Sequence, residues 1–117
     1  MEQLTLMIMS GVDDGTTMVL RTDTDGDFSD EAWLLTVGRK DTNDICLRND
    51  TFVSRFHAKL IRRGGGWWLE DKNSTNGSFI EDDDDFFADE RVKGMIPIEP
   101  MQLFRVGRTW LRIQASD

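Results

Sequence analysis

The chain has 117 residues, 38% of them apolar and 31% charged, with a formal net charge of −8 at pH 7. That length suits one compact domain with one hydrophobic core. No apolar run approaches the roughly 20 residues a membrane-spanning helix needs, and the acidity argues against nucleic acid as the main partner, because grip on a phosphate backbone needs a basic stripe. One cysteine (Cys46) and one histidine (His57) allow neither an internal disulfide nor a four-ligand zinc site, so the expected setting is reducing and intracellular, the cytoplasm with the nucleus also open.

Residues 1–11, MEQLTLMIMSG, alternate Leu4, Leu6 and Ile8 with Thr5, Met7 and Met9, and carry no basic residue. They read as a strand rather than a signal peptide. TMVLRT (17–22) follows a turn rich in Gly and Asp. Residues 21–32, RTDTDGDFSDEA, are acidic and poor in strand pattern, and read as an insertion. Their Asp23, Asp25 and Asp27 hint at calcium, but an EF-hand loop counted from Asp23 would need Gly and Glu where Phe28 and Leu34 stand. A solvated loop without metal is expected.

AWLLTVGR (32–39), DICLR (44–48), FHAKLIRR (56–63) and WWLED (67–71) are short, β-branched or aromatic, and bounded by turn residues. Gly64-Gly65-Gly66 reads as the hairpin turn between the last two. A second acidic insertion, EDDDDFFADER, covers 81–91; its 82–85 run reads as a solvated charge cluster, with Phe86 and Phe87 as anchors to the body. SFI, MQLFRVG and TWLRIQ complete the strands. Trp33, Phe104, Val106 and Trp110 read as core; of Trp67 and Trp68, one fills the core and the other covers an outer face. No window sustains a helical period, and neither a repeat nor a domain boundary is evident. The expectation is an all-β sandwich or barrel, one domain over 1–117.

The charge is uneven. Residues 36–75 hold eight Lys and Arg against five acids, a balance of +3, so the remainder carries −11. A positive region in an acidic protein suits a small anionic target, provided the cations converge rather than alternate over solvated faces. Three motifs stand at strand ends or turns: VGRK with Gly38-Arg39, VSRFHA with Ser54, Arg55 and His57, and NSTNGSF with Ser74, Thr75, Asn76 and Gly77. Loops distant in sequence cluster at the ends of a sandwich, so one site can draw on all three. Ser54, Arg55 and His57 admit two readings, a nucleophile with a base and an anion clamp, or a pocket that only holds an anion. Catalysis needs a base within reach of Ser54 and a carboxylate to orient it. On a regular strand Ser54 and His57 would face opposite ways, and no Gly-x-Ser-x-Gly elbow is present. Lys40 reads as a solvated lysine, Gly77 as a positive-φ turn residue, and Asn49 and Asp50 as simple turn residues.

Order and spacing of the three motifs resemble the forkhead-associated (FHA) domain family. DICLRNDTFVSRFHAKL and WWLEDKNSTNGSFI carry the resemblance most densely, and it extends over roughly 4–114. It implies an antiparallel β-sandwich of about eleven strands, of the FHA/SMAD type, with its site on loops at one end. It implies a phosphothreonine-dependent interaction module of kinase signalling, not an enzyme, with a threonine-phosphorylated protein as partner, no cofactor or metal, no nucleic acid or membrane, and a monomeric domain. It assigns the phosphate to Arg39, Ser54, Arg55 and Thr75, the ligand backbone to Asn76, and support of the site to Gly38, His57 and Gly77. Phosphothreonine suits such residues: it carries about −1.5 to −2 charges and three acceptor oxygens, for which Arg39 and Arg55 are cations, Ser54 a hydroxyl donor, and the turn at Thr75 a source of outward N–H groups. A family-like scaffold acting without phosphate is the alternative; retention of Arg39, Ser54 and Thr75 speaks for the first. Two departures from the family pattern, the 81–91 segment and IEPMQLF in place of a Gly-Asp turn, leave the matched phosphate positions untouched.

Overall fold

The computed structural model describes residues 2–81 and 89–114. Twelve strands follow in chain order: β1 (Gln3–Ile8), β2 (Thr17–Arg21), β3 (Asp27–Ser29), β4 (Ala32–Gly38), β5 (Ile45–Cys46), β6 (Ala58–Arg63), β7 (Gly66–Asp71), β8 (Ser78–Glu81), β9 (Asp89–Arg91), β10 (Met95–Ile98), β11 (Leu103–Val106) and β12 (Thr109–Ile113). The described residues contain no helix. One sheet runs β2-β1-β12-β11-β8-β9; the other runs β10-β7-β6-β4-β3, with β5 added in parallel on the end of β4. All other pairs are antiparallel.

Period-2 patterning decides which faces meet. Leu4, Leu6 and Ile8 of β1, Leu111 and Ile113 of β12, and Phe104 and Val106 of β11 point into one core. Trp33, Leu35 and Val37 of β4, Leu60 of β6, and Trp67 and Leu69 of β7 meet them from the second sheet. Trp33 and Trp67 pack with ring centroids 5.9 Å apart. Trp68 lies on the outer face, half-buried. Trp110 does not join the core: its neighbour Leu111 takes the inward position, and the half-buried indole lies outside with the Arg105 guanidinium 5.5 Å above its ring.

Three strands were not expected from the sequence. β3 lies inside the first acidic segment, exposed at all three residues, and exists through its pairing with β4. β9 pairs with β8, Phe79 opposite Arg91, so both ends of the second acidic segment belong to the sheet. β10 contains Pro97, tolerated because β10 is an edge strand and the missing N–H faces no neighbour. The 44–48 stretch shortens to Ile45–Cys46, and 56–63 starts only at Ala58. The 82–85 acidic run and Phe86 and Phe87 lie outside the described residues. Asp25, one of the aspartates that hinted at calcium, caps its own loop: its Oδ2 accepts the Arg21 N–H at 2.9 Å and its carbonyl accepts the Trp33 indole N–H at 2.8 Å.

Candidate functional site

The loops that carry the three motifs meet at one end of the sandwich. β4 ends at Gly38, and the next residues lean on the 53–57 loop: the Arg39 N–H donates to the Ser54 carbonyl (3.0 Å) and the Lys40 N–H to that of Arg55 (3.4 Å). No side chain fits at position 38. A Cβ there would overlap the Arg55 carbonyl oxygen and stand 2.7 Å from Asn43 Nδ2. Asn43, buried beneath, donates to the carbonyls of Lys40 (2.8 Å) and Arg55 (2.7 Å) and ties the two loops from the inside. Arg39 is anchored by Nε–H to the Val53 carbonyl at 3.1 Å, which leaves its terminal nitrogens for a ligand.

His57 is fully buried. Its Nδ1 accepts the Ser54 backbone N–H at 3.0 Å, so the proton sits on Nε2 and is donated to the Gly77 carbonyl at 2.9 Å. The ring therefore joins the second motif to the third. Desolvation holds the imidazole pKa below its ordinary 6.5, against weaker opposing pulls from the Gly77 carbonyl, Asp71 and Asp50. A neutral ring makes no ion pair with Asp71, whose Oδ1 stands 3.8 Å from Nε2.

Asp71 serves the turn instead. Its Oδ1 accepts the hydroxyls of Ser74 (2.6 Å) and Ser78 (2.7 Å), and its Oδ2 accepts the Ser74 N–H (3.1 Å). Burial pushes its pKa upward, but these bonds and the nearby imidazole hold it below the ordinary carboxylate value. The Ser74 hydroxyl in turn accepts the Gly77 N–H at 3.0 Å. Gly77, at φ +87°, turns the chain so that its carbonyl reaches His57.

On this support, Arg39, Arg55, Thr75 and Asn76 are exposed and Ser54 is half-buried. The Ser54 hydroxyl oxygen accepts the Thr75 N–H at 3.3 Å, so its own hydrogen can be donated outward. The Thr75 N–H is thus engaged with Ser54. Asn76 donates Nδ2–H to the Phe52 carbonyl at 2.9 Å, fixing an amide that can still present its oxygen. Among the described residues neither Arg39 nor Arg55 forms an ion pair. Both nitrogens of His57 are bonded to backbone, so neither reaches the Ser54 hydroxyl as a base. Cations and hydroxyls on loops tied from beneath suit the holding of an anion better than nucleophilic catalysis.

Asn43, Asp71 and Ser78, which organise the site from below, were not foreseen. Ser78 stands inside the third motif without being singled out there, and nothing marks Asn43 and Asp71 except nearness to the motifs. Asp50 is more than a turn residue. Its Oδ1 accepts the Phe52 N–H (2.9 Å), and its Oδ2 accepts the Arg108 N–H (2.8 Å) and the Thr109 hydroxyl (2.7 Å), which fastens the site loop to the β11–β12 turn. Asn49 likewise donates to Asp13 of the β1–β2 loop, at 3.1 Å to Oδ2.

The FHA domain family model matches residues 35–107, more than half the chain and all three motifs. The chain belongs to the FHA domain family. FHA domains are phosphothreonine-binding interaction modules. No curated protein matches the chain. Among solved structures, the FHA domain of the CT664 protein from Chlamydia trachomatis is 21% identical with a TM-score of 0.75, covering 99% of this chain and 100% of that one. The FhaA FHA domain, complexed with the intracellular domain of Rv3910, is 25% identical with a TM-score of 0.68, covering 95% of this chain and 99% of that one. Mycobacterium tuberculosis EmbR, in complex with a low-affinity phosphopeptide, is 22% identical with a TM-score of 0.71, covering 97% of this chain and 24% of that one.

Proposed function

We propose that this FHA domain, residues 1–117 acting as one unit, is a phosphothreonine-dependent protein-interaction module without catalytic activity. Arg39 and Arg55 supply charge, the Ser54 and Thr75 hydroxyls supply donors, and Asn76 holds the ligand backbone. The observation that supports the reading is the joining of the motif loops: two exposed cations without ion pairs among the described residues, and the Ser54 hydroxyl, stand on loops tied together by His57 and Asn43. Donors held in place before binding lose little freedom when an anion arrives, and charge-assisted bonds to phosphate are the stronger class. That its structural neighbours include FHA domains solved with a phosphopeptide or a partner domain supports a phosphorylated partner.

The test is a phosphothreonine peptide library titrated against the protein, each member paired with its unphosphorylated form. Binding should require the phosphate, and phosphoserine should bind more weakly. Equal binding of phosphorylated and unphosphorylated members would overturn the reading in favour of a phosphate-independent scaffold.

A further inference from the structure

Beside the motif loops lies a third arginine that the three motifs do not include. Arg108, on the β11–β12 turn, is exposed, and its guanidinium carbon lies 3.6 Å from the centroid of the Phe52 ring. Phe52 is part of the site loop, and its carbonyl is the acceptor for Asn76. Phe52 thus carries the guanidinium on its ring and the Asn76 amide on its carbonyl. Stacking on a ring restrains a long side chain that would otherwise sweep through solvent, so less freedom is lost on binding. Among the described residues Arg108 makes no ion pair.

Two carboxylates stand nearby, and neither neutralises it by contact. Asp50 is engaged by the Phe52 N–H, the Arg108 N–H and the Thr109 hydroxyl, and so fixes the turn that carries the arginine. Asp13 is engaged by the Asn49 amide. Beyond Arg108 the surface is concave, lined by Val12, Leu47, Asn49 and Thr51 and by Asp13 and Asp50 themselves, whose carboxylates are taken up by the bonds just given, with room for a side chain next to the cation.

We propose that Arg108 is a specificity residue that reads a second acidic group on the ligand, a carboxylate or another phosphate near the phosphothreonine in sequence. The proposal rests on the phosphothreonine reading and narrows it to acidic or doubly phosphorylated segments. Two tethered anions on one peptide engage two cation subsites, and the second contact costs little further loss of freedom.

The experiment places Glu, Gln, phosphoserine or Ser in turn at each position near the phosphothreonine of a binding peptide. Affinities are measured with wild type, Arg108→Gln and Arg39→Ala. At one position Glu should tighten wild-type binding about two- to fivefold over Gln, the gain expected of a largely exposed ion pair, and phosphoserine should do so more strongly. Arg108→Gln should erase that gain while binding the neutral phosphopeptide as wild type does; Arg39→Ala should weaken every phosphopeptide. Acid preference surviving in Arg108→Gln, or phosphate-dependent binding with no acid preference at any position, overturns this inference alone. Failure of all phosphopeptides overturns the phosphothreonine reading and this inference with it. A gain from phosphoserine but not Glu would narrow the supported ligand class to doubly phosphorylated segments.

Discussion

Arg39 and His57 differ in what their loss should do, because one faces solvent and the other carries the loops. Arg39→Ala removes an exposed guanidinium whose main intramolecular bond is to the Val53 carbonyl. Phosphopeptide affinity should fall by about 1.5–3 kcal/mol, the range for hydrogen bonds to charged groups, with the melting temperature nearly unchanged; calorimetric titration and thermal unfolding of the same two proteins check both halves. His57 should behave in the opposite way. Its pKa is lowered by burial, so the folded state takes up a proton less readily than the unfolded chain. Stability is therefore fully present above the unfolded value of 6.5 and is lost as pH falls through the folded value. Asp71, also lowered, adds a second loss in the same direction only below its ordinary 3.8. His57 is the only histidine in the chain, so wild type should lose melting temperature between pH 7 and pH 5, and His57→Asn should be less stable at pH 7 but flat over that interval. A variant that keeps the slope would show that another group produces it.

At the scale of elements, β4 reaches the site only because its last residue has no side chain. Gly38→Ala drives a methyl into the Arg55 carbonyl oxygen and against Asn43. Backbone must move to admit it, since the obstruction is a peptide group and not the end of a flexible side chain. The expected cost is about 1–3 kcal/mol of stability, accompanied by weaker phosphopeptide binding because Arg39 and Arg55 shift apart. Denaturant unfolding and peptide titration should both change; a stability equal to wild type would mean that the loop yields freely. The β7–β8 turn obeys the same logic with polar groups, Asp71 collecting the Ser74 and Ser78 donors before β8 begins.

For the whole molecule the question is how an acidic protein attracts an anion. The net charge of −8 repels a phosphopeptide at long range, while Arg39, Arg55 and Arg108 act at short range from one end of the sandwich. At about 0.1 M salt the screening length is about 10 Å, so distant carboxylates count for little and exposed cations nearby dominate. Affinity for a phosphothreonine peptide should therefore fall as salt is raised above that level, and the slope should be shallower in Arg39→Ala. Titrations at several salt concentrations measure it; a rise in affinity with salt would mean that net repulsion outweighs the local attraction.

Alternation in 4–10, the run from 32 to 39 and the GGG turn made the sandwich legible from the chain alone, because burial on one sheet face imposes a period that composition carries. That the loops of the three motifs could meet at one end was legible too, because each motif stands in a turn or at a strand end. β3, β9 and β10 were not: three exposed residues, an acidic stretch and a proline hold strand conformation only through the neighbour they pair with. Trp110 was misplaced for a related reason, since hydrophobicity ranks it as core and only the register of β12 turns it outward. The two bonds of His57, the space closed at Gly38, the engagement of Asp50 and the stacking of Arg108 on Phe52 join residues far apart in the chain. Such partnerships leave no local period or propensity, so only the tertiary structure decides them.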